Sequence, residues 1–295
     1  MKKIQIAIPV FNEEMGITLF LEELELALKD WQTKYFFSLL VIDDASCDQT
    51  LKKIKKFPFK NLANVLVLHL QKNVGHGNAV LAGVENFQGD ALILMDADFQ
   101  DKPQYIGSFL DAWEAGAKIV RAKRKKRLES FMRRNLFYFF YKFFSVFTGL
   151  ESGMGIFGLY DKEVVKAICA RGERAVFLPG LVSALPYSKK VFLIDREARR
   201  FGKSKVGYWR LGKLAILATL CFSRAISKGI FFTGLLTLLG TVYFIYAGAP
   251  LRGWLVWLMV YNLISFAALF AYLVLIKKEK NIHRAYKISL AEEVK

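Results

Sequence analysis

The chain has 295 residues, room for one large domain or for a domain of roughly 200 residues with an appendage. Its net charge of +17 calls for an anionic partner: phosphorylated substrate, anionic lipid or nucleic acid. Three histidines argue against a histidine-rich zinc site, and Cys47, Cys169 and Cys221 lie too far apart for paired or metal-like spacing, which predicts reduced thiols in a cytoplasmic setting.

The start, MKKIQIAIPVFNEE, does not read as a signal peptide, because its apolar stretch is short and runs into Pro9, Asn12, Glu13 and Glu14. Ile4 to Val10 reads as a strand and Met15 to Trp31 as an amphipathic helix. A strand from Phe37 to Ile42 ends in Asp43-Asp44. A helix from Asp48 to Lys56, a strand from Val65 to Leu70 and a helix from Gly77 to Phe87 follow. This alternation predicts a parallel sheet covered on both faces. Next comes ALILMDADFQDKP, Ala91 to Pro103, an apolar run that stops at two carboxylates one residue apart, Asp96 and Asp98. Such a run reads as a buried parallel strand whose carboxyl end enters a crevice, the place where open α/β sheets bind ligands. Two acidic groups there suit Mg²⁺ or Mn²⁺ shared with substrate phosphates. The polar clusters Pro9/Asn12/Glu13, Asp43/Asp44/Ser46, Asn73/Gly75 and Asp96/Asp98 all fall at carboxyl strand ends, which points to one common site.

Composition changes at Arg121. RAKRKKRLESFMRRN is densely basic and LFYFFYKFFSVF, Leu136 to Phe147, densely aromatic, so residues 121–148 read as a membrane-interface segment whose basic side chains reach anionic lipid phosphates. Residues 206–228 read as a juxtamembrane amphipathic helix. Phe231 to Gly248 and Trp254 to Ile276 carry no charged residue and approach bilayer-spanning length. They predict a transmembrane hairpin over 229–277, with Trp254, Trp257, Tyr243 and Tyr246 as interfacial anchors. Arg224 and Lys228 before it and Lys277, Lys278, Lys280 and Arg284 after it place both flanks in the cytoplasm by the positive-inside rule, leaving 278–295 as a cytoplasmic basic tail.

The motifs IPVFNEE (Ile8 to Glu14), VIDDASCDQT (Val41 to Thr50), NVGHGNAVLAG (Asn73 to Gly83), MDADFQDKP (Met95 to Pro103) and REARRFGKSK (Arg196 to Lys205) stand in order. With them the chain resembles glycosyltransferase family 2, and in particular its polyprenyl-phosphate branch. The resemblance implies an α/β fold: a GT-A type, Rossmann-like, mostly parallel sheet in a cytosolic domain over 1–205, with interfacial amphipathic helices and the C-terminal two-helix hairpin. It implies inverting transfer of a sugar from a nucleotide-diphosphate donor, a UDP-sugar as first choice, to a polyprenyl phosphate such as undecaprenyl phosphate. The expected location is the cytoplasmic face of a bacterial inner membrane, with both termini inside and a homo-oligomer allowed.

By the same resemblance, Pro9, Phe11, Glu13, Asn73 and Ala97 line the nucleotide-sugar pocket and Asp44 accepts a hydrogen bond from the base. Asp98, assisted by Asp96, holds Mg²⁺ or Mn²⁺ on the donor diphosphate, and Gln100 and Asp101 sit beside sugar or acceptor. Many relatives carry an acidic residue within ESGMGIFGLYDK; Ser152, Gly153 and Ile156 stand in the matching places here, so Glu151 substitutes or no protein base is used. A lipid phosphate, with a second pKa of about 6, is largely a dianion at neutral pH and needs charge compensation more than a base. Arginine forks suit it, which nominates Arg121, Arg124, Arg133, Arg196 and Arg199, together with Ser204 and Lys205 of the GKSK turn. The tyrosine that usually follows Ser-Lys is Val206 here.

Other classes fit less well. A processive polysaccharide synthase needs more spans and a QxxRW motif, and a dinucleotide oxidoreductase needs a GxGxxG after the first strand. For a nucleic-acid-binding protein, which the charge alone would allow, two spans are surplus. A non-catalytic membrane scaffold has no use for Asp44, Asp96 and Asp98 on neighbouring strand ends.

Overall fold

A computed structural model of the chain describes residues 1–124, 154–170, 178–183, 185–195, 224–246, 258, 260–267, 270, 274 and 286–295. It opens with β1 (Lys2–Val10), α1 (Ile17–Leu28), β2 (Tyr35–Asp43), α2 (Thr50–Lys56), β3 (Asn64–Leu70), α3 (His76–Glu85) and β4 (Ala91–Leu94). After these come α4 (Ile106–Glu114), β5 (Ile119–Arg124), β6 (Met154–Asp161), α5 (Lys162–Ala170), α6 (Leu178–Ser183) and β7 (Lys189–Ile194). The last elements are α7 (Arg224–Tyr246) and β8 (Ile288–Glu293).

The strands form one sheet in the order β7-β5-β6-β4-β1-β2-β3-β8. β3, β2, β1 and β4 pair in parallel, β6 runs antiparallel to both β4 and β5, and β8 runs antiparallel to β3. The expected mostly parallel, GT-A-like α/β sheet is therefore present. Period-two alternation sends Ile4, Ile6, Ile8, Phe37, Leu39, Val41 and Ile93 to one face, under α1 and α4. Ala7, Leu40, Ile42, Leu92 and Leu94 go to the other, under α3, α5 and α6. Both faces are apolar, so the central strands read as continuous apolar runs. α3 lies close on its face: a Cβ at Gly83 would come within 2.9 Å of Ile42 Cδ1 and 3.3 Å of Ala7 Cβ.

Three expectations change. Arg121 to Arg124 belong to β5, in the sheet between β6 and β7, so the basic segment does not begin as an interface helix. Apolar Ile119, Val120 and Ala122 are buried there and hold the strand in place. The end of the chain is not merely a basic tail: β8 extends the sheet, with Val65 N–H donating to Lys295 O at 2.8 Å and Gln71 N–H to Lys287 O at 2.9 Å. Finally, α7 starts at Arg224, inside the expected juxtamembrane helix, and runs without a break past residue 228.

Among the described residues no helix is long and apolar enough to cross a membrane. Of the second expected span, only positions 258, 260–267, 270 and 274 are described, all helical. This segment meets α7 through polar contacts. Thr237 Oγ1 donates to Asn262 Oδ1 at 2.6 Å and Tyr261 Oη to Thr233 Oγ1 at 3.1 Å, and Asn262 is buried.

Candidate active site

The carboxyl ends of β1, β2, β3 and β4 bring four connecting segments to one edge of the sheet. The loop after β1 is tied to the one after β2. Asn12 N–H donates to Ser46 Oγ at 3.0 Å, Glu13 N–H to Thr50 Oγ1 at 2.8 Å, and Cys47 N–H to Asn12 Oδ1 at 2.8 Å. Asp43, fully buried, lies 2.5 Å from His69 Nδ1 on β3 and accepts from Ser46 N–H at 3.2 Å. Asp44 anchors the loop after β3: its two carboxylate oxygens accept from Val74 N–H at 2.7 Å and Gly75 N–H at 2.9 Å. Gly75 has φ +87, a left-handed value that glycine alone adopts freely, and it turns the chain into α3.

Burial pushes the Asp44 carboxyl above its ordinary range, against the pull of the Val74 and Gly75 amides. Neighbouring Asp43 adds to the rise and His76 opposes it.

Beyond β4, the chain makes a turn through Asp96, Ala97, Asp98, Phe99 and Gln100. Gln100 N–H donates to Asp98 Oδ1 at 3.1 Å. Phe99 stands at φ +62, costly for a bulky residue, and its ring is buried edge-on to Phe20 at 6.1 Å. Asn12 (φ 51) and Ala45 (φ 60) are the other non-glycine residues at positive φ among those described, so all three border this edge. Backbone strain of this kind costs about 1–3 kcal/mol per residue and persists where the surroundings enforce it.

The expected pocket residues fall here, though not all in the same way. Pro9 is buried in β1 opposite Ile42, and Phe11 and Glu13 are half-buried on the loop that follows. Asn73 Nδ2 donates to Asp44 O at 3.4 Å, and Ala97 is buried. Asp96 and Asp98 are half-buried at the crevice, Gln100 likewise, while Asp101 is only 1 % exposed. Asp96 Oδ1 lies 3.6 Å from His76 Nε2 at the start of α3.

Whether a divalent cation fits can be judged from the donor set. Asp96 and Asp98 offer hard carboxylate oxygen. That chemistry suits Mg²⁺ or Mn²⁺, since Mg²⁺ takes one or two carboxylates and completes its shell with water and substrate phosphate. Asp98 and Asp96 would hold such an ion.

The acceptor arginines are where the reading needs correction. Arg121 is 3 % exposed. Its guanidinium donates to Pro179 O at 3.3 Å, Ser183 Oγ at 3.0 Å and Gly155 O at 3.1 Å. It braces β6 and α6 from within and does not present itself to a phosphate, because its planar fork satisfies buried carbonyls. Arg124 ends β5. Glu151, Arg133, Arg196, Arg199, Ser204 and Lys205 lie outside the described residues. Sequence reasoning placed Asn12 in a strand-end cluster without giving it a role, and passed over Thr50, His69 and His76 as site residues. The signal for His76 was its place in the Asn73–Gly83 motif, and for Asn12 a polar residue directly after an apolar strand.

With this geometry in hand, comparison with known proteins places the chain. The model of glycosyl transferase family 2 matches residues 5–169. The bactoprenol glucosyl transferase of Shigella phage SfV is 32% identical over 226 residues, 75% of this chain and 72% of that protein. The undecaprenyl-phosphate 4-deoxy-4-formamido-L-arabinose transferase of Photorhabdus laumondii subsp. laumondii is 29% identical over 230 residues, 76% of this chain and 69% of that protein. A crystal structure of a mycobacterial protein, 14% identical, covers 75% of each chain with a TM-score of 0.50, a likeness of fold alone. The matched region runs from β1 through α5 and contains every strand end that builds the crevice, so the chain belongs to glycosyl transferase family 2 and is a glycosyltransferase.

Proposed function

We infer that the protein transfers a sugar from a nucleotide-diphosphate donor, a UDP-sugar as first choice, to a polyprenyl phosphate such as undecaprenyl phosphate. The observation that carries this is the convergence of Asp44 and its amide-bound loop with Asp96 and Asp98 on one strand-end crevice, in a family 2 chain. Two relatives named for different sugars share a polyprenyl carrier in their names, which supports the acceptor and leaves the sugar open.

In this reading Asp44 shapes the nucleotide end of the crevice and keeps acceptor capacity, since a carboxylate has about four lone-pair sites. Phe11 and Glu13 flank the base, and Asp96 and Asp98 address the diphosphate. A divalent cation bound there supplies Lewis-acid neutralisation of the departing nucleoside diphosphate. Gln100, next to Asp98, faces the sugar. The acceptor phosphate arrives already ionised and attacks the anomeric carbon in line, with inversion.

The membrane is the proposed source of that acceptor. α7 and the described positions 260–267 and 270 expose Leu236, Leu239, Tyr243, Leu263, Ile264 and Phe270, each at 59–73 %. An apolar surface of this extent suits lipid contact. We propose that the pair is the transmembrane hairpin of a bacterial inner-membrane protein whose catalytic domain and both termini are cytoplasmic, with the basic segment after β5 meeting anionic lipids.

A transfer assay tests the whole reading. Detergent-purified full-length protein receives radiolabelled UDP- and GDP-sugars, undecaprenyl phosphate, and Mg²⁺ or Mn²⁺, with EDTA as control. Metal-dependent label in the lipid phase is expected with one donor. Nucleotide release that occurs only with an added glycan or protein acceptor would overturn the polyprenyl assignment.

A further inference from the structure

Between the Asp44 end and the Asp96/Asp98 end of the crevice stands a side chain with no role in the account so far. His76 opens α3 directly after the Val74-Gly75 pair that binds Asp44. Its side chain is 52% exposed, and Nε2 lies 3.6 Å from Asp96 Oδ1. That separation exceeds a hydrogen bond but lies within ion-pair reach, so Asp96 leaves the hydrogen-bonding capacity of Nε2 unfilled while holding the ring nearby. The same ring is close enough to Asp44 to favour its ionised form. The approach is open: a Cβ at Gly75 or at Gly77, on either side of His76, would meet nothing within 4 Å.

A nucleoside diphosphate that spans from Asp44 to Asp96 and Asp98 has to pass this ring. An imidazole offers a donor N–H in every protonation state, and the phosphoryl oxygens are the strongest acceptors along that path. We propose that His76 is a donor-binding residue that hydrogen-bonds a phosphoryl oxygen of the nucleoside diphosphate, on the side away from Asp98. Its contact reads the diphosphate and not the base. This rests on the nucleotide-sugar reading of the crevice.

Equilibrium binding on the detergent-purified full chain separates the two ideas. The probes are UDP and GDP, with uridine and guanosine as matching nucleosides, each in Mg²⁺ and in EDTA. The wild type is expected to bind one diphosphate. His76→Ala is expected to weaken that diphosphate about tenfold in both media, the loss of one charge-assisted hydrogen bond, and to leave the nucleoside unchanged. His76→Gln, which keeps an N–H donor, is expected to recover part of the loss. An unchanged diphosphate affinity in His76→Ala, an equal loss for nucleoside and diphosphate, or no recovery in His76→Gln overturns the role of His76 and leaves the reading of the crevice standing. A wild type that binds neither diphosphate overturns both. Thermal unfolding of each variant accompanies the titrations, and with the ring half-exposed both variants are expected to melt with the wild type.

Discussion

At the amino end of the sheet, Lys2 Nζ lies 3.0 Å from Glu114 Oε1 and 4.6 Å from the centre of the Trp113 ring. Tyr35 Oη donates to Glu114 Oε1 at 2.9 Å and Trp113 Nε1 to Asp161 Oδ2 at 2.8 Å, while Lys118 sits 3.3 Å from both Asp161 and Glu163. Charges here are matched to one another across aromatic surface. At the carboxyl end, Asp44 holds backbone amides, Asp43 and Asp96 face imidazoles, at 2.5 Å from His69 Nδ1 and 3.6 Å from His76 Nε2, and Asn12, Ala45 and Phe99 sit at left-handed φ. The same parallel strands thus end in lysine–carboxylate pairs at one edge and, at the other, in carboxylates held by amides and imidazoles within left-handed backbone. Strain that packing maintains around acidic groups is what the proposed site has and the lysine-paired edge lacks, and on the proposed reading the latter serves stability.

The sharpest way to break that division is to alter one residue at each end. Asp98→Ala is expected to lower transfer about 10³-fold, from several kcal/mol of lost charge stabilisation, with the unfolding midpoint unmoved. Measured turnover within tenfold of wild type would remove Asp98 from the chemistry. At the other end, Trp113→Ala removes a buried indole and its bond to Asp161, and is expected to cost about 3–5 kcal/mol of stability. Turnover per folded molecule should stay near wild type. Chemical denaturation together with turnover normalised to folded protein checks it, and a loss of turnover as large as that of Asp98→Ala would dissolve the contrast between the edges.

Much of this arrangement was legible in the chain. The apolar runs of β1, β2 and β4 and the polar residues that stop them already mark the crevice, because a strand buried on both faces can turn polar only where it leaves the sheet. β8 was not legible. Its ISLAEE residues are mostly exposed on an edge strand, so its pairing rests on backbone hydrogen bonds to β3, which leave no apolar period to read. Arg121 misled for a related reason. Its charge spoke for lipid phosphate, but β5 carries it inside, where Gly155, Pro179 and Ser183 supply oxygen. Such partners are remote in sequence, and composition does not reveal them. The left-handed turn at Phe99 was hidden as well, since nothing about a phenylalanine announces positive φ.

The subtlest expression of the two edges is in how acid acts on them. Asp161, at the amino edge, pays a burial penalty that raises its carboxyl, but Trp113, the Glu163 amide and Lys118 outweigh it and hold it below the ordinary range. Its folded value lies under its unfolded one, so its stabilisation is present above the unfolded value and is lost as pH falls through the folded value. Asp44 is the reverse: burial raises its folded value, the folded state takes up a proton first, and acidification through that window adds stability that is lost again as pH rises. Removing the ionisable group at each site should therefore move the acid limb of the stability curve in opposite directions. Asp161→Asn is expected to flatten the decline below about pH 4, near the ordinary aspartate value, whereas Asp44→Asn is expected to steepen the change just above it. Denaturant midpoints followed by tryptophan fluorescence across a pH series measure both slopes. If both variants shift the slope in the same direction, the two carboxylates do not answer to opposite environments, and the distinction between the paired edge and the strained edge loses its electrostatic basis.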